Sequence, residues 1–275
     1  MKYLILLIIS ISLMAERVVI NFAPLPMVKS EIILKEYDPV LNYLEKETGY
    51  IFNLVYYADY ATLLQKVQDG SVDIAFLGPL PYVELKKTAP KVQPIIRFLN
   101  AKGEDRYSCT LFTSLYNDIT LLDLHNKTVA LTQKLSTCGY LSMENILQKN
   151  GLSLKSNRYE YTGSHSNSIL SVIIGDSLAG GAKTSIVEEY THIGLKPLIQ
   201  TEKLPGFLWV ASEQLSKTVI ARIKEAMLKL KPLTVPKDAI ITKNWGKNIR
   251  YGAINSSDAD YNIIRDMLKH IDIPK

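Results

Sequence analysis

Cysteine is nearly absent: Cys109 and Cys138 are the only two in 275 residues. Neither stands in a Cys-x-x-Cys or Cys/His pattern, which argues against a structural metal. The two thiols could pair in an oxidising compartment or remain apart, because spacing alone carries no geometry. Concentrated charge is also missing. Lys and Arg number 32 against 27 Asp and Glu, for a net charge of +5, and they are scattered. The stretch from Lys229 to Lys237 reads as helix flank and linker, not as a nucleic-acid stripe. Mild basicity suits an anionic ligand or a negative surface. Beyond residue 13 no apolar run is long enough to cross a bilayer, and there is no internal repeat or low-complexity tract. A hydrophobic fraction of 47% with 21% charged residues excludes a disordered chain. This length can bury a substantial core, as one large domain or two lobes.

What is present begins at the N-terminus. Lys2, an apolar run from Tyr3 to Leu13 and then Met14-Ala15-Glu16 have the order of a secretory signal peptide, expected over residues 1–15. An uncleaved anchor is the alternative. No cysteine follows the run, so a lipoprotein anchor is not indicated. The mature chain is expected to be exported and soluble.

Downstream, strand and helix patterns alternate. Arg17–Phe22, Ile51–Tyr57, Ser71–Leu77 and Val92–Leu99 read as strands. Between them, Ser30–Thr48, a segment capped by Asp59, and the segment after Gly78-Pro79-Leu80-Pro81 read as helices. Pro39 predicts a kink or a restart in the first helix. Ala101–Asp105 breaks the alternation. It resumes with strands at Arg106–Thr113, Thr128–Leu131 and Arg158–Thr162 and helices after Ser136 and Ser164. Lys196–Glu202 and Phe207–Ala211 read as the last strands, with a helical remainder packing back on the first lobe. The expected fold is α/β in two lobes, joined by crossing strands near Leu99–Arg106 and Gln200–Phe207. The corresponding division is 16–104 with 205–275 for the first lobe and 105–204 for the second.

One turn stands out. Leu135-Ser136-Thr137-Cys138-Gly139-Tyr140 lies between a strand and a helix, where free N–H groups and two hydroxyls meet the positive end of a helix dipole. Such a turn can hold an anion, or Ser136 and Thr137 can simply cap the helix. Ligands of open α/β sheets bind beyond the carboxyl ends of strands. This turn and Gly78-Pro79-Leu80 both stand there, so both are expected to face one cleft.

Five stretches in order extend these local readings. They are Tyr60 through Gly78-Pro79-Leu80-Pro81-Tyr82, Leu121–Ala130, Ser136–Tyr140, Gly163-Ser164-His165 and Ser257-Asp258-Ala259-Asp260-Tyr261. Through them the sequence resembles the periplasmic phosphate/phosphite/phosphonate-binding family, the solute-binding components of ABC importers, over nearly the whole mature chain. The resemblance implies a two-lobed periplasmic protein that closes on a small phosphorus oxyanion and delivers it to an ABC permease. It implies no catalysis, cofactor, metal or nucleic-acid partner, and a monomer is expected. The implied ligand-binding residues are Tyr60, Gly78, Pro79, Leu80, Tyr107, Ser136, Thr137, Cys138, Gly139, His165 and Ser166. Ser136 and Thr137 would donate hydroxyls, Cys138 and Gly139 their amides, and Tyr60 and Tyr107 their phenols. Gly78 would let backbone approach the ligand, or serve only as a strand-to-helix turn. With 16 tyrosines in the chain, core packing is the competing role for Tyr60 and solvation for Tyr107. His165 could donate to the anion or cap a helix. Ser166 and Leu178-Ala179-Gly180 fall where relatives that take aminoalkyl phosphonates carry carboxylates. Their identity implies a ligand without an amine: phosphate, phosphite or a short alkylphosphonate.

Three other classes use the same residues. A sensing subunit would present the same cleft to a membrane kinase or chemoreceptor. A Cys-dependent hydrolase would use Cys138 with His165 as base, although the family's usual serine at that position implies that the backbone matters more than the thiol. A wider cleft could bind an organic cofactor precursor.

Overall fold

The computed structural model describes residues 17–274, so the expected signal segment lies outside the described residues. The first sheet starts from β1 (Val19–Pro24), which pairs in parallel with β2 (Ile51–Leu54) and β3 (Ile74–Leu77). The crossovers are α1 (Ser30–Thr48) and α2 (Tyr60–Gln68), each turning its apolar stripe onto the sheet. Asp59 caps α2 by accepting the Thr62 N–H at 2.8 Å. α1 is a single helix across Pro39, without the expected restart. Proline removes one ladder bond, but Ile33 and Tyr37 before it and Val40, Leu41 and Leu44 after it are all buried, which outweighs that loss. α3 (Pro79–Thr88) and β4 (Gln93–Phe98) follow.

After β5 (Arg106–Tyr107) the chain enters a second, five-stranded sheet. Its strands are β6 (Cys109–Ser114), β7 (Thr128–Leu131), β8 (Arg158–Tyr161), β9 (Ala179–Lys183) and β10 (Leu195–Gln200), in the order β10-β6-β9-β7-β8. The helices α4 (Ser142–Lys149), α5 (His165–Ile173) and α6 (Thr184–Tyr190) connect them. β11 (Leu204–Pro205) then pairs antiparallel with β5, Leu204 opposite Tyr107 and Pro205 opposite Arg106. These are the two crossing strands between the lobes. β12 (Leu208–Ala211) returns to the first sheet and inserts antiparallel between β3 and β4. The tail adds α7 (Lys217–Leu228), α8 (Pro236–Thr242), β13 (Ala253–Asn255) and α9 (Asn262–Leu268). Tyr43 of α1 donates its hydroxyl to the Ala226 carbonyl of α7 at 2.7 Å, and the Tyr82 and Tyr261 rings meet edge to face.

Three elements carry no recognisable signal in the sequence. β13 interrupts the expected helical tail and pairs with β4 at the sheet edge. β9 and α6 fill a stretch with no predicted element. β9 reads Ala-Gly-Gly-Ala-Lys, the opposite of a β-branched strand, yet it is central to the second sheet. Its neighbours explain the composition. A Cβ on Gly180 would lie 2.7 Å from Phe112 Cζ, and one on Gly181 2.5 Å from Met143 Sδ. The bulk is supplied by the partners, so the strand must be small.

Beside the crossing strands, buried Arg97 of β4 pairs with Asp105 and, at 2.8 Å, with Asp260 ahead of α9. No helix among the described residues is long and apolar enough to span a membrane.

Candidate functional site

The loops at the carboxyl ends of β1, β3 and β7, together with the end of β9, converge on one small cavity between the sheets. Leu25 and Met27 follow β1, Gly78 and Pro81 follow β3, Ser136, Thr137 and Cys138 follow β7, and Lys183 closes β9. Tyr60, Tyr107, His165 and Phe207 complete the wall. The room open to the centre of a water molecule is about 10 Å³. That is room for a single small group, about the size of one water molecule. On one side the cavity adjoins a wider interlobe cleft of about 1320 Å³.

The turn after β7 is built around Gly139. A Cβ at that position would lie 2.7 Å from the Gln133 carbonyl oxygen and 2.9 Å from Thr132 Oγ1. The chain therefore folds tightly enough to form a wide helical turn over Thr137–Leu141, with the Ser142 N–H reaching the Thr137 carbonyl. The N–H groups of Thr137 and Cys138 begin this turn and have no carbonyl one turn back to bond. Gly139→Ala is expected to overpack the turn and cost roughly 1–3 kcal/mol, read as a lower melting temperature.

Among the sequence-expected residues, Tyr60, Gly78, Tyr107, Ser136, Thr137, Cys138 and His165 line the cavity. The others do not. Gly139 N–H donates to the Ser136 carbonyl at 3.0 Å, so the turn itself occupies the amide that was expected to meet the anion. Leu80 is fully buried, and its N–H donates to Thr137 Oγ1 at 3.0 Å, a bond between lobes. Pro79 is buried at the start of α3 and is not part of the lining. Ser166 faces the wider cleft.

The capping alternatives are also resolved. Ser136 makes no side-chain cap bond, and Ser164, not His165, caps α5 by accepting the Asn167 N–H at 3.1 Å. His165 is 8% exposed, and its Nδ1 accepts the Lys183 N–H at 3.2 Å, which leaves the ring proton on Nε2. Burial, with the Lys183 charge as a second cause, holds its pKa at about 4, so the imidazole is neutral at physiological pH. Burial also pushes the Tyr60 and Tyr107 phenols well above their ordinary range and keeps them protonated donors. The Tyr107 ring stacks on Phe207 at 5.3 Å.

Cys109 and Cys138 form a disulfide. The hydrolase reading needs a free Cys138 thiol, and the bond removes it. What the disulfide does instead is mechanical: it ties the turn to the first residue of β6, just beyond the crossing strand.

Lys183 and Phe207 were missed from the sequence. Both stand at strand ends, Lys183 closing β9 and Phe207 just ahead of β12. The strand-end rule would have found Lys183 had β9 been legible. Burial lowers the Lys183 pKa to about 8, with Glu189 opposing, so the ammonium stays predominantly charged at neutral pH.

Polar contacts among the described residues bridge the lobes around the cavity. Besides Leu80 to Thr137, Gln133 Nε2 donates to the Pro26 carbonyl at 3.1 Å and Lys183 Nζ to Asn248 Oδ1 at 2.9 Å. Lys247 pairs with Glu189 at 3.2 Å. The two lobes meet across the site in this conformation.

Residues 22–261 match the family described as ABC transporter, phosphonate, periplasmic substrate-binding protein. The chain is 27% identical over 224 residues to the phosphate-import protein PhnD of Mycolicibacterium smegmatis, covering 74% of this chain and 70% of that protein. Its fold is similar to that of PhnD1 from Prochlorococcus marinus, solved in complex with methylphosphonate. There the TM-score is 0.80 at 17% identity, over 91% of this chain and 97% of that one. It is also similar to a binding protein component of an ABC phosphonate transporter from Pseudomonas aeruginosa. That match has a TM-score of 0.78 at 21% identity, over 92% and 86% of the two chains.

Proposed function

This chain belongs to the periplasmic phosphonate substrate-binding family of ABC transporters, and from that premise we propose that it captures phosphate, phosphite or a short alkylphosphonate between its lobes for import. The observation that carries this reading is the composition of the cavity wall: hydroxyls of Ser136 and Thr137, phenols of Tyr60 and Tyr107, a neutral imidazole and an ammonium, with no carboxylate among them. Protonated phenols, hydroxyls and the free N–H groups of the turn are donors, and each donor–oxyanion bond is charge-assisted. The tight cavity favours a small guest. The absence of Asp and Glu from its wall leaves a ligand ammonium without a partner there.

Tyr60 and Gly78 come from the first lobe, Ser136, Thr137, His165 and Lys183 from the second, and Tyr107 from the crossing strand. A ligand that touches both lobes binds the closed form better than the open one, and only that difference can shift the equilibrium between them. The lobes divide at 105 and 205, the closed monomer is what a permease subunit in the membrane recognises, and residues 1–15 direct export.

A melting-temperature panel on the protein without residues 1–15 tests this reading. At a hundredfold excess over Kd, a bound anion stabilises by about 2.7 kcal/mol, which raises the melting temperature by roughly 5–10 °C at this chain length. Phosphite, phosphate or methylphosphonate should produce such a rise, and aminoethylphosphonate a smaller one. If none of the three does, the reading is wrong.

A further inference from the structure

Lys183 holds a charge that the rest of the protein does not neutralise. It ends β9 in the second lobe, and its Nζ reaches Asn248 Oδ1 in the tail of the first at 2.9 Å. That partner is a neutral amide. The other groups over the ammonium are aromatic faces, Phe207 at 5.2 Å and Tyr107 at 5.6 Å from the ring centroids. Glu189 acts on it from a distance and is itself paired with Lys247. An ammonium held among rings and one amide, on the wall of a cavity of donors, is costly to bury unless a negative charge joins it.

We propose that Lys183 is the charge-selecting residue of this cleft, pairing with the ligand's second negative charge, so that the site takes dianionic phosphorus oxyanions and rejects any that carry an ammonium. This rests on the oxyanion reading above and adds to it which ionic form binds and which residue makes the choice. Repulsion between two cations in a small, poorly solvated space acts against an aminoalkyl phosphonate, while the same cation attracts a doubly charged head. Neither glycine ahead of Lys183 could take over this part, because even a Cβ on Gly180 or Gly181 would crowd Phe112 or Met143.

The test is calorimetric titration at pH 7.2 of phosphite, methylphosphonate and 2-aminoethylphosphonate into the wild-type chain, Lys183→Met, Lys183→Gln and Asn248→Ala. Both Lys183 variants should lose about tenfold or more in affinity for phosphite and methylphosphonate. Their affinity for 2-aminoethylphosphonate should hold or rise, so the preference between the two ligand types shrinks by about the same factor. Asn248→Ala removes the interlobe bond and keeps the charge, and it should leave that preference as in the wild type. If the wild-type chain binds phosphite and the Lys183 variants match it within twofold, this inference alone is overturned. It is equally overturned if Asn248→Ala shifts the preference as far as Lys183→Met does. A wild-type chain that binds neither phosphite nor methylphosphonate overturns both this inference and the reading beneath it. Melting curves of the ligand-free variants confirm that each one compared is folded.

Discussion

Thr137→Val is expected to weaken binding of the phosphorus oxyanion on the order of a hundred- to ten-thousandfold. Valine has the shape of threonine, so packing is retained while two polar interactions go. The first is the hydroxyl's contribution to the anion, worth roughly 1.5–3 kcal/mol for a bond to a charged group. The second is the Leu80 N–H, which donates to Thr137 Oγ1 at 3.0 Å across the lobes. Without that acceptor, closing the lobes buries an unpaired donor, at a cost of roughly 1–3 kcal/mol. Both losses fall on the closed, liganded form, so they add in the dissociation constant. Titration calorimetry reads the affinity. The apo protein's melting temperature should move far less than the affinity does. A variant that binds within threefold of wild type would show that Thr137 neither touches the anion nor latches the lobes.

Replacing both Cys109 and Cys138 by serine should lower stability by roughly 3–4 kcal/mol, the loop-closure value for a bridge of this span. The cysteines are 29 residues apart. For a chain of this size the loss corresponds to a fall in melting temperature on the order of 10 °C. Reduction of the wild-type protein should give the same fall, and the double-serine variant should be indifferent to reductant. Affinity should drop as well, because the bond holds the Thr137 and Cys138 amides against β6 and the hinge. Coincident melting curves for the oxidised, reduced and double-serine proteins would remove this role.

How much of this was legible in the sequence depended on where each signal lay. Helix faces such as Ile33, Tyr37, Val40, Leu41 and Leu44 repeat at helical spacing, and α1 has the predicted ends. The turn at Ser136 was readable because strand, turn and helix follow one another locally, whereas Tyr60 and Tyr107, two of 16 tyrosines, were implied only by the family resemblance. β9 was not readable, since its small residues answer to Phe112 and Met143, which lie far away in the chain. Lys183 was lost along with it. The sequence placed Leu80 and Gly139 at the right turns but could not show which N–H groups the protein's own carbonyls and hydroxyls would claim. The pairing of Cys109 with Cys138 likewise depends on β6 and the turn lying side by side, a long-range fact.

The position of β12 sets an order of assembly. Its Leu208 and Trp209 lie opposite Leu77 and Phe76 of β3 on one side and Arg97 and Ile96 of β4 on the other. Until residue 211 has emerged, a nascent chain holds β2-β1-β3 as one fragment and β4 as an orphan, while residues 109–200 already contain every strand of their own sheet. The five-stranded sheet can therefore complete its strand set before the six-stranded one that the chain begins. Trp209, fully enclosed between Phe22 and Phe98, is the wedge that joins the two fragments. Any product that stops short of it bares two apolar strand edges, the starting point for aggregation.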